Sequence, residues 1–450
     1  MKKLFTTLGN IWKIEELKER IMFTLLILLV YRFVSHVVLP GVDPTSPALT
    51  NNAKSGILGL LDMFAGGSFS RISILALGVM PYISASIVVQ LLGIAVPTFQ
   101  KMQKEGESGR NKLNQITRYL TVAITIVQSI GYVKTQVPVE AILPIMGTTM
   151  FYIVSVIVLT AGTLFVMWLG EKITDKGIGN GTSLIIMVGI IARLPNALAQ
   201  EVTARVGSAS EGGGPVALVL EIVALLAVVM FTVLIVQGVR KVPVQYAKKI
   251  VGNRQFGGVR QYIPLKVNAA GVMPIIFAQA LMFIPGALTS FVPSFQGSWL
   301  MQFSNPVSLA YSLTFAFLII AFTFFYTAIT VNPTQMSDDM KKNGGFIPGI
   351  KPGFATSSFI DDVISKITFP GAVFLAIIAI LPSIAVKFGI KQEFAQFFGG
   401  TSLLILVGVV LDTLQQIESY LLMRHYDGLM KTGRITGRTG VPAASSNAVL

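Results

Sequence analysis

Long apolar stretches recur along the chain and are separated by polar connections. A helix that crosses about 30 Å of hydrocarbon needs about 20 mostly apolar residues. Windows of that length predict ten spans, and the pattern therefore predicts an all-α polytopic membrane protein. The predicted spans are 21–39, 73–97, 117–133, 150–169, 182–200, 216–238, 270–291, 307–331, 368–387 and 398–421.

The approach to the second span is interrupted. Residues 61–84 read LDMFAGGSFSRISILALGVMPYIS, with a Gly-Gly pair, four serines, an arginine and a proline. This stretch is too polar for an ordinary span and too apolar for an ordinary loop. The regular helix of the second span is expected to begin near Ser73.

Lys and Arg are concentrated in every second connection between the predicted spans. The N-terminus and the even-numbered loops hold 27 of them, whereas the odd-numbered loops hold seven. Cytoplasmic loops are enriched in Lys and Arg, so both termini are predicted to be cytoplasmic. Before the first span, Leu4, Leu8, Ile11 and Trp12 indicate either an amphipathic helix in the membrane interface or a solvated leader.

Four short words repeat in pairs that lie five spans apart. GVMPYI (78–83) matches GVMPII (271–276), and GTSLII (181–186) matches GTSLLI (400–405). Because five is odd, matched spans cross the membrane in opposite directions, as in an inverted repeat. The predicted parts are a cytoplasmic amphipathic N-terminus (1–20), an N-terminal half (21–205), a C-terminal half (206–430) with cytoplasmic loops at 239–268 and 332–367, and a flexible cytoplasmic tail (431–450).

The repeat aligns Ile83 with Ile276 and Ile186 with Ile405. If the halves face one another, these isoleucines converge near the middle of the membrane. Pro81 and Pro274 would loosen their helices, and irregular backbone at that depth needs a cover of protein. One interpretation is a central passage with a hydrophobic constriction, which gates by excluding water. The other is that glycine and proline are simply common in membrane helices and that the isoleucines are filler.

Composition supports the membrane class and weakens the enzymatic one. Of the 450 residues 53% are hydrophobic and 12% charged, the mean hydropathy is +0.70 and the formal net charge is +14. Soluble proteins carry about 25% charged residues. The sequence has no cysteine, two histidines and no HExxH or GxSxG motif, so no catalytic residue, metal or cofactor is expected.

Three further patterns have alternative interpretations. GIGNG at 177–181 precedes a membrane helix, so a flexible loop-to-helix transition is favoured over a phosphate site. Arg32, His36, Glu221 and Asp412 lie within spans, where structural roles are favoured over functional ones. A secondary transporter also uses inverted repeats and broken helices, although isoleucines at the midplane argue against a bound solute.

Longer motifs resemble the SecY family, the channel subunits of the protein-secretion translocon. The resemblance runs from about residue 17 to 430 in matching order. It is carried by GGSFSRISILALGVMPYISASIVVQLL (66–92), KEGESGR (104–110), MWLGEKITDKGIGNGTSLII (167–186), PLKVNAAGVMP (264–274), FFYTAITVNP (324–333), FIPGIKPG (346–353) and FGGTSLLI (398–405).

The resemblance implies a passive protein-conducting channel in the bacterial plasma membrane. Such a channel passes unfolded secretory polypeptides and releases membrane segments sideways, through a lateral gate between spans two and three and spans seven and eight. It has ten helices in two inverted-repeat halves around a central pore, with a short plug half-helix. The implied partners are SecE, SecG, the SecA motor ATPase, the ribosome, signal sequences, nascent polypeptides and membrane lipids.

The resemblance also assigns the pore ring and the plug. Thr182 departs from the family, because an aliphatic residue is usual there. The serines and Arg71 of the plug would face water, and Gly66 and Gly67 would keep it movable. The ring comprises Val79, Ile83, Thr182, Ile186, Ile276 and Ile405. The plug comprises Leu61, Asp62, Met63, Phe64, Ala65, Gly66, Gly67, Ser68, Phe69, Ser70, Arg71 and Ile72.

Two basic loops resemble the docking sites of cytoplasmic partners. Residues 239–268 hold seven Lys or Arg and no Asp or Glu, which suits either membrane orientation alone or contact with an acidic partner. Asn253 replaces one basic residue of a family pair. Lys351 replaces an arginine and lacks its planar fork of donors. The assigned docking residues are Lys248, Lys249, Arg254, Arg260 and Lys351.

Overall fold

A computed structural model describes most of the chain. The described residues are 14–44, 46, 62, 64–143, 147–207, 214–246, 249–251, 254–256, 260–291, 302–303, 305 and 307–431. The predicted amphipathic segment before residue 14 and the predicted tail after residue 431 lie outside them.

Helices account for nearly all of the regular structure, and a small amount of β-structure lies between them. The helices are α1 Glu15–Val34, α2 Met80–Ala95, α3 Pro97–Lys104, α4 Glu107–Gln136, α5 Thr148–Lys176, α6 Gly181–Gly207, α7 Gly214–Gln237, α8 Met273–Phe291, α9 Leu309–Thr330, α10 Pro333–Lys342, α11 Phe354–Lys387, α12 Gln392–Ala395 and α13 Gly400–Lys431. The strands are β1 Val239–Tyr246, β2 Lys249–Val251, β3 Arg254–Phe256, β4 Arg260–Lys266 and β5 Gly345–Phe346.

The prediction of an all-α polytopic membrane protein is confirmed. A helix overlaps each of the ten predicted spans. Within the described residues, seven helices are long and apolar enough to cross a bilayer, or eight if the bent pair α2 and α3 counts as one span. The exact number of ten spans therefore stays a prediction.

The second span begins later than expected, at Met80 and not near Ser73. Residues 65–79 form successive turns. Gly78 has a φ of +53°, which interrupts helical geometry, and Pro81 follows as the second residue of α2. Proline is well tolerated in a first turn, where its missing N–H has no helical partner anyway. Pro81 therefore starts a helix, and the expectation that it loosens one was wrong.

Both pairs of repeated words coincide with helix starts. In the second half Gly271 has a φ of +65°, and Pro274 is the second residue of α8, as Pro81 is of α2. The other pair begins α6 at Gly181 and α13 at Gly400. The repeated words therefore mark two matched pairs of helix N-termini, and the inverted repeat of two halves stays a prediction.

Hydrogen bonds between distant segments define two sides of the molecule. On one side, the turn before α6 meets α1 and α13, since Ile178 N donates to Thr24 Oγ1 and Gly179 N donates to Gln416 Oε1. On the other side, Arg205 at the end of α6 donates to Gly389 O after α11. We call the first the basic side, because the β-structure with its lysines and arginines lies in the connections there.

The predicted loop 239–268 is a β-hairpin, which the sequence reading missed. β1 pairs antiparallel with β4, from Val239 opposite Lys266 to Gln245 opposite Arg260, and β5 pairs with the other edge of β1. Val242 and Val244 are buried against Met340 and Ile360. The alternation of apolar and polar residues in VRKVPVQY was the signal for a strand with one buried face.

Alanine substitutions of two glycines test why a side chain is absent at these positions. We expect Gly271→Ala to cost about 1–2 kcal/mol, because only its left-handed backbone is strained and a Cβ there meets nothing within 4 Å. Gly181→Ala should cost more, because its Cβ would lie 2.0 Å from Gly170 O and would force α5 and α6 apart. Thermal unfolding of the purified variants measures both. Equal losses would contradict this account of the α5–α6 contact.

Candidate functional site

Five of the six predicted ring residues belong to one apolar cluster. Val79, Ile186 and Ile405 are buried in it, and Ile83 and Ile276 are partly buried and packed against it. The five side chains come from four different helices or their caps. The five residues therefore share one apolar core, which has many other members, and their arrangement as a ring stays a prediction.

The four isoleucines occupy matched positions on their helices. Ile83 and Ile276 are the fourth residues of α2 and α8, and Ile186 and Ile405 are the sixth residues of α6 and α13. Five residues further along each helix stands an exposed aliphatic side chain. These are Val88, Leu281, Ile191 and Val410. A five-residue step turns a helix by about 140°, so each helix turns one face to the cluster and another to the surface.

Thr182, the sixth predicted ring residue, packs against α5. A Cβ on Gly170 would lie 3.1 Å from its Oγ1. Thr182 precedes Ile186 by four residues and so lies near the same face of α6. Its membership of a ring stays a prediction.

The segment that corresponds to the plug is closely packed. Ala65, Phe69 and Ile72 share an apolar cluster with Tyr132 of α4 and Phe151 of α5. Tyr132 donates its hydroxyl hydrogen to Phe69 O at 2.7 Å, and the two rings meet edge to face. Among the described residues of 61–72, only Asp62 and Phe64 are helical, so the expected half-helix is largely a series of turns. Leu61 and Met63 lie outside the described residues.

An ionic contact joins this segment to α6, and we call it the latch. Arg193 of α6 donates to Asp62 Oδ2, while Ser70 N donates to Asp62 Oδ1 at 2.8 Å. The side chain of Asp62 is 2% exposed, and that of Arg193 is 28% exposed. From α1, Arg32 donates to Gly66 O at 2.9 Å. Two arginines from the surrounding helices therefore hold the segment.

The glycines and serines of the segment serve packing. Gly66 has a φ of +64°, and a Cβ there would lie 2.9 Å from the Cα of Gly189 in α6. Ser68 is fully buried, so the expectation that the serines of the plug face water was wrong for this residue. Arg71 is exposed as expected, and it donates to Gly66 O and Gly67 O of its own segment.

The GIGNG turn does not offer its amides to a ligand. Ile178 N and Gly179 N donate to the side chains of Thr24 and Gln416, and Gly181 N donates to Thr174 Oγ1. Phosphate loops depend on free backbone N–H groups. The turn leads into α6, as predicted, and these hydrogen bonds tie it to α1 and α13, while its flexibility stays a prediction.

The four ionisable residues within spans have different surroundings. Arg32 reaches the segment beside the cluster, and His36 Nδ1 lies 2.8 Å from Arg32 O. Glu221 is buried and accepts from Arg205 at 2.5 Å. Asp412 is exposed on α13.

The predicted docking residues lie on or beside the β-structure of the basic side. The backbones of Lys249, Arg254 and Arg260 lie in β2, β3 and β4. Lys351 is exposed in the turn before α11. Lys248 lies outside the described residues.

Sequence reasoning missed several residues that the structure places at these sites. Arg193 and Gly189 hold the segment 62–72, and no short motif marks them. Arg240, Lys241 and Lys266 are exposed on β1 and β4. Their place on one hairpin could have been found from the strand-like alternation around Val242.

The structure is a largely helical membrane bundle with an apolar core, and a non-helical segment packs beside that core. The sequence profile of the SecY family matches residues 73–414. The protein translocase subunit SecY of Streptomyces scabiei is 41% identical over 445 residues, which cover 95% of this chain and 100% of that protein. The chain belongs to the SecY family.

Two solved structures share the fold. One is a SecY channel whose plug domain is described as stabilising the closed state, with a TM-score of 0.58, 15% identity, and coverage of 93% of this chain and 95% of that one. The other is Sec61 in the canine ribosome–channel complex from the endoplasmic reticulum, with a TM-score of 0.55, 16% identity and the same coverage. The protein is thus a channel subunit for protein translocation and not an enzyme, which excludes the solute transporter.

The latch predicts that substitutions of Arg193 and of Arg71 have different effects on amide hydrogen exchange. Arg193→Gln should raise amide hydrogen exchange across residues 64–72, because it leaves the buried Asp62 without its cationic partner. Loss of a fully buried pair costs about 3–5 kcal/mol, and partial exposure of Arg193 reduces this to about 2 kcal/mol, or roughly 30-fold in exchange. Arg71→Gln is the control, because Arg71 bonds within the segment. Equal exchange in both variants would contradict the latch.

Proposed function

We propose that Val79, Ile83, Ile186, Ile276 and Ile405, with Thr182 at the edge, form the closed constriction through which a polypeptide passes. The observation that carries this proposal is the set of matched positions of the four isoleucines on four helices of an inverted repeat. A ring of aliphatic side chains excludes water when closed. Its aliphatic members offer no polar group with which to retain a passing chain.

The segment 61–72 is proposed to be the plug that blocks the constriction from the side opposite the basic hairpin. Its described residues pack against α4, α5 and α6 and contact Arg32 of α1. Displacement requires separation of Asp62 from Arg193 and of Phe69 O from Tyr132. Both contacts are polar and can be replaced by water, whereas the apolar packing of Ala65, Phe69 and Ile72 opposes displacement.

The lateral gate is proposed to lie between two helix pairs from different halves. α2 packs on α4, and α8 packs on α9. Because each pair holds together internally, the two can separate as units. Signal sequences and membrane segments would leave through that opening into the lipid.

The proposed partners follow from the family and from the charge of the basic side. SecE and SecG would support the channel within the membrane, and SecA or the ribosome would dock on the basic hairpin and near Lys351. The related canine channel was solved in a ribosome complex. With 27 of 35 Lys and Arg in one set of connections, the basic side is proposed to be cytoplasmic, with both termini, in a bacterial plasma membrane.

Photo-crosslinking of a stalled precursor tests the ring. The chain is reconstituted with SecE and SecA in vesicles, and ATP should protect a secretory precursor from added protease. A crosslinking residue at Ile186 or Ile405 should capture the stalled precursor. The same residue at Ile191 or Val410, which are exposed on the same two helices, should not. Val88 and Leu281 are unsuitable controls, because they lie on the proposed gate helices.

Capture at Ile191 and Val410, with none at Ile186 and Ile405, would contradict the proposed path. Saturable uptake of a small solute without precursor protection would contradict the channel function altogether.

Charge removal on the hairpin tests the docking surface. Arg240→Gln with Lys266→Gln should weaken ribosome binding and lower the salt dependence of log K by about one per lost charge. Lys112→Gln is the control, because Lys112 is exposed on α4 at the basic side but away from the hairpin. An equal loss in the control would show a general charge effect and no specific surface.

A further inference from the structure

A second buried ionic site lies at the end of α6, on the side opposite the basic hairpin. Arg205 donates from Nε to Glu201 Oε1 at 3.0 Å and from Nη2 to Glu221 Oε1 at 2.5 Å. The same Nη2 donates to Gly389 O at 3.0 Å. The side chain of Arg205 is 11% exposed, and both carboxylates are buried. We call this site the clasp.

Glu201 extends the clasp to the backbone after α11. Its Oε2 accepts from Lys391 N at 2.9 Å, while its Oε1 accepts from Arg205. Both oxygens of Glu201 are therefore used. Glu221 differs, because its Oε2 is buried and has no hydrogen-bond partner within the described part of the chain.

The clasp crosses between the two halves of the repeat. Glu201 and Arg205 end the last helix of the first half. Glu221 lies in the first helix of the second half, and Gly389 and Lys391 connect α11 to α12. Three hydrogen bonds with charged partners thus join the halves at one point: Arg205 to Glu221, Arg205 to Gly389 O and Lys391 N to Glu201.

The charges of the clasp make the contact between the two halves depend on Arg205. Two carboxylates share one guanidinium in a buried place, so the guanidinium offsets their mutual repulsion. Without it, two like charges from opposite halves would face each other with little water. Each half would then gain by moving away from the other.

The position of the clasp allows it to restrain the orientation of α6. Arg205 lies 19 residues after Ile186 in the sequence, which is about 28 Å along a helix. At its other end α6 is preceded by Gly179, which is fastened to Gln416 of α13. α6 is therefore held to the second half at both ends, and the clasp restrains its tilt at the end furthest from the constriction.

We propose that Arg205 is a positioning residue that holds α6 against the second half and so keeps the two halves in their closed arrangement. The link from this arrangement to the constriction rests on the function proposed above. The arrangement of the two halves is measured independently of that proposed function.

Spin labels on each half measure the arrangement directly. The parent chain has no cysteine, so introduced cysteines at Val139 and Leu309 are the only attachment points. Both side chains are exposed and lie on the side of the clasp, one in each half. In the full chain with SecE in vesicles, Arg205→Leu should shift the distance distribution by several ångströms to longer values.

The two glutamates provide a matched pair. Glu201→Gln should shift the distribution like Arg205→Leu, because its amide NH₂ would face a donor that now lacks an acceptor. Glu221→Gln should match the parent, because its amide oxygen still accepts from Arg205 and its NH₂ takes the unpartnered position. The double variant Arg205→Glu with Glu221→Arg retains two carboxylates and one guanidinium and should move the distribution back towards that of the parent.

An unchanged distribution in Arg205→Leu would overturn the proposal, as would equal shifts in Glu201→Gln and Glu221→Gln. Thermal unfolding distinguishes a shift of the distance distribution from misfolding. For this purpose the double variant and Arg205→Leu are compared under conditions in which their stabilities match. Precursor protection by the parent chain is measured alongside. Its failure with the distance shifts intact would contradict the proposed constriction and leave the clasp standing.

Discussion

Irregular backbone at membrane depth must find its hydrogen bonds within the protein, and the centre of this structure is arranged by that requirement. Residues 65–79 are turns, yet their polar groups are used. Leu39 N donates to Ile72 O and Ile74 N donates to Val37 O, while Tyr132 satisfies Phe69 O. The segment can be non-helical only because the stretch after α1, α4 and α6 surround it. The position of this segment and the packing of the helices around it therefore depend on each other.

The same requirement explains where the helices of the repeat begin. Each of the four starts at a glycine or just after one, and two of them carry proline as the second residue. These residues allow a helix to start abruptly. The seated segment precedes only α2, so it breaks the symmetry of an otherwise matched set. The aliphatic cluster belongs to both halves, whereas the segment belongs to one.

Much of this architecture could be predicted from the sequence, because it depends on local patterns. Apolar windows predict the helices, and repeated words align Ile83 with Ile276 and Ile186 with Ile405. The latch could not be predicted, since Asp62 and Arg193 are 131 residues apart and neither belongs to a motif. Span two was placed too early because hydropathy does not report a left-handed glycine such as Gly78. The β-hairpin was missed because its charges were read for topology, and the alternation around Val242 was not tested.

The two ionic sites on α6 differ in a way that matches what each has to do. Arg193 is 28% exposed and holds one carboxylate, so water reaches its side of the contact, although Asp62 itself is buried. Arg205 is more deeply buried and holds two carboxylates and a carbonyl, so its departure would leave like charges facing each other where little water reaches. A contact that must open repeatedly is best kept close to water, and one that must persist is best kept away from it. Under the proposed function, α6 thus carries the contact that opens in its middle and the contact that persists near its end.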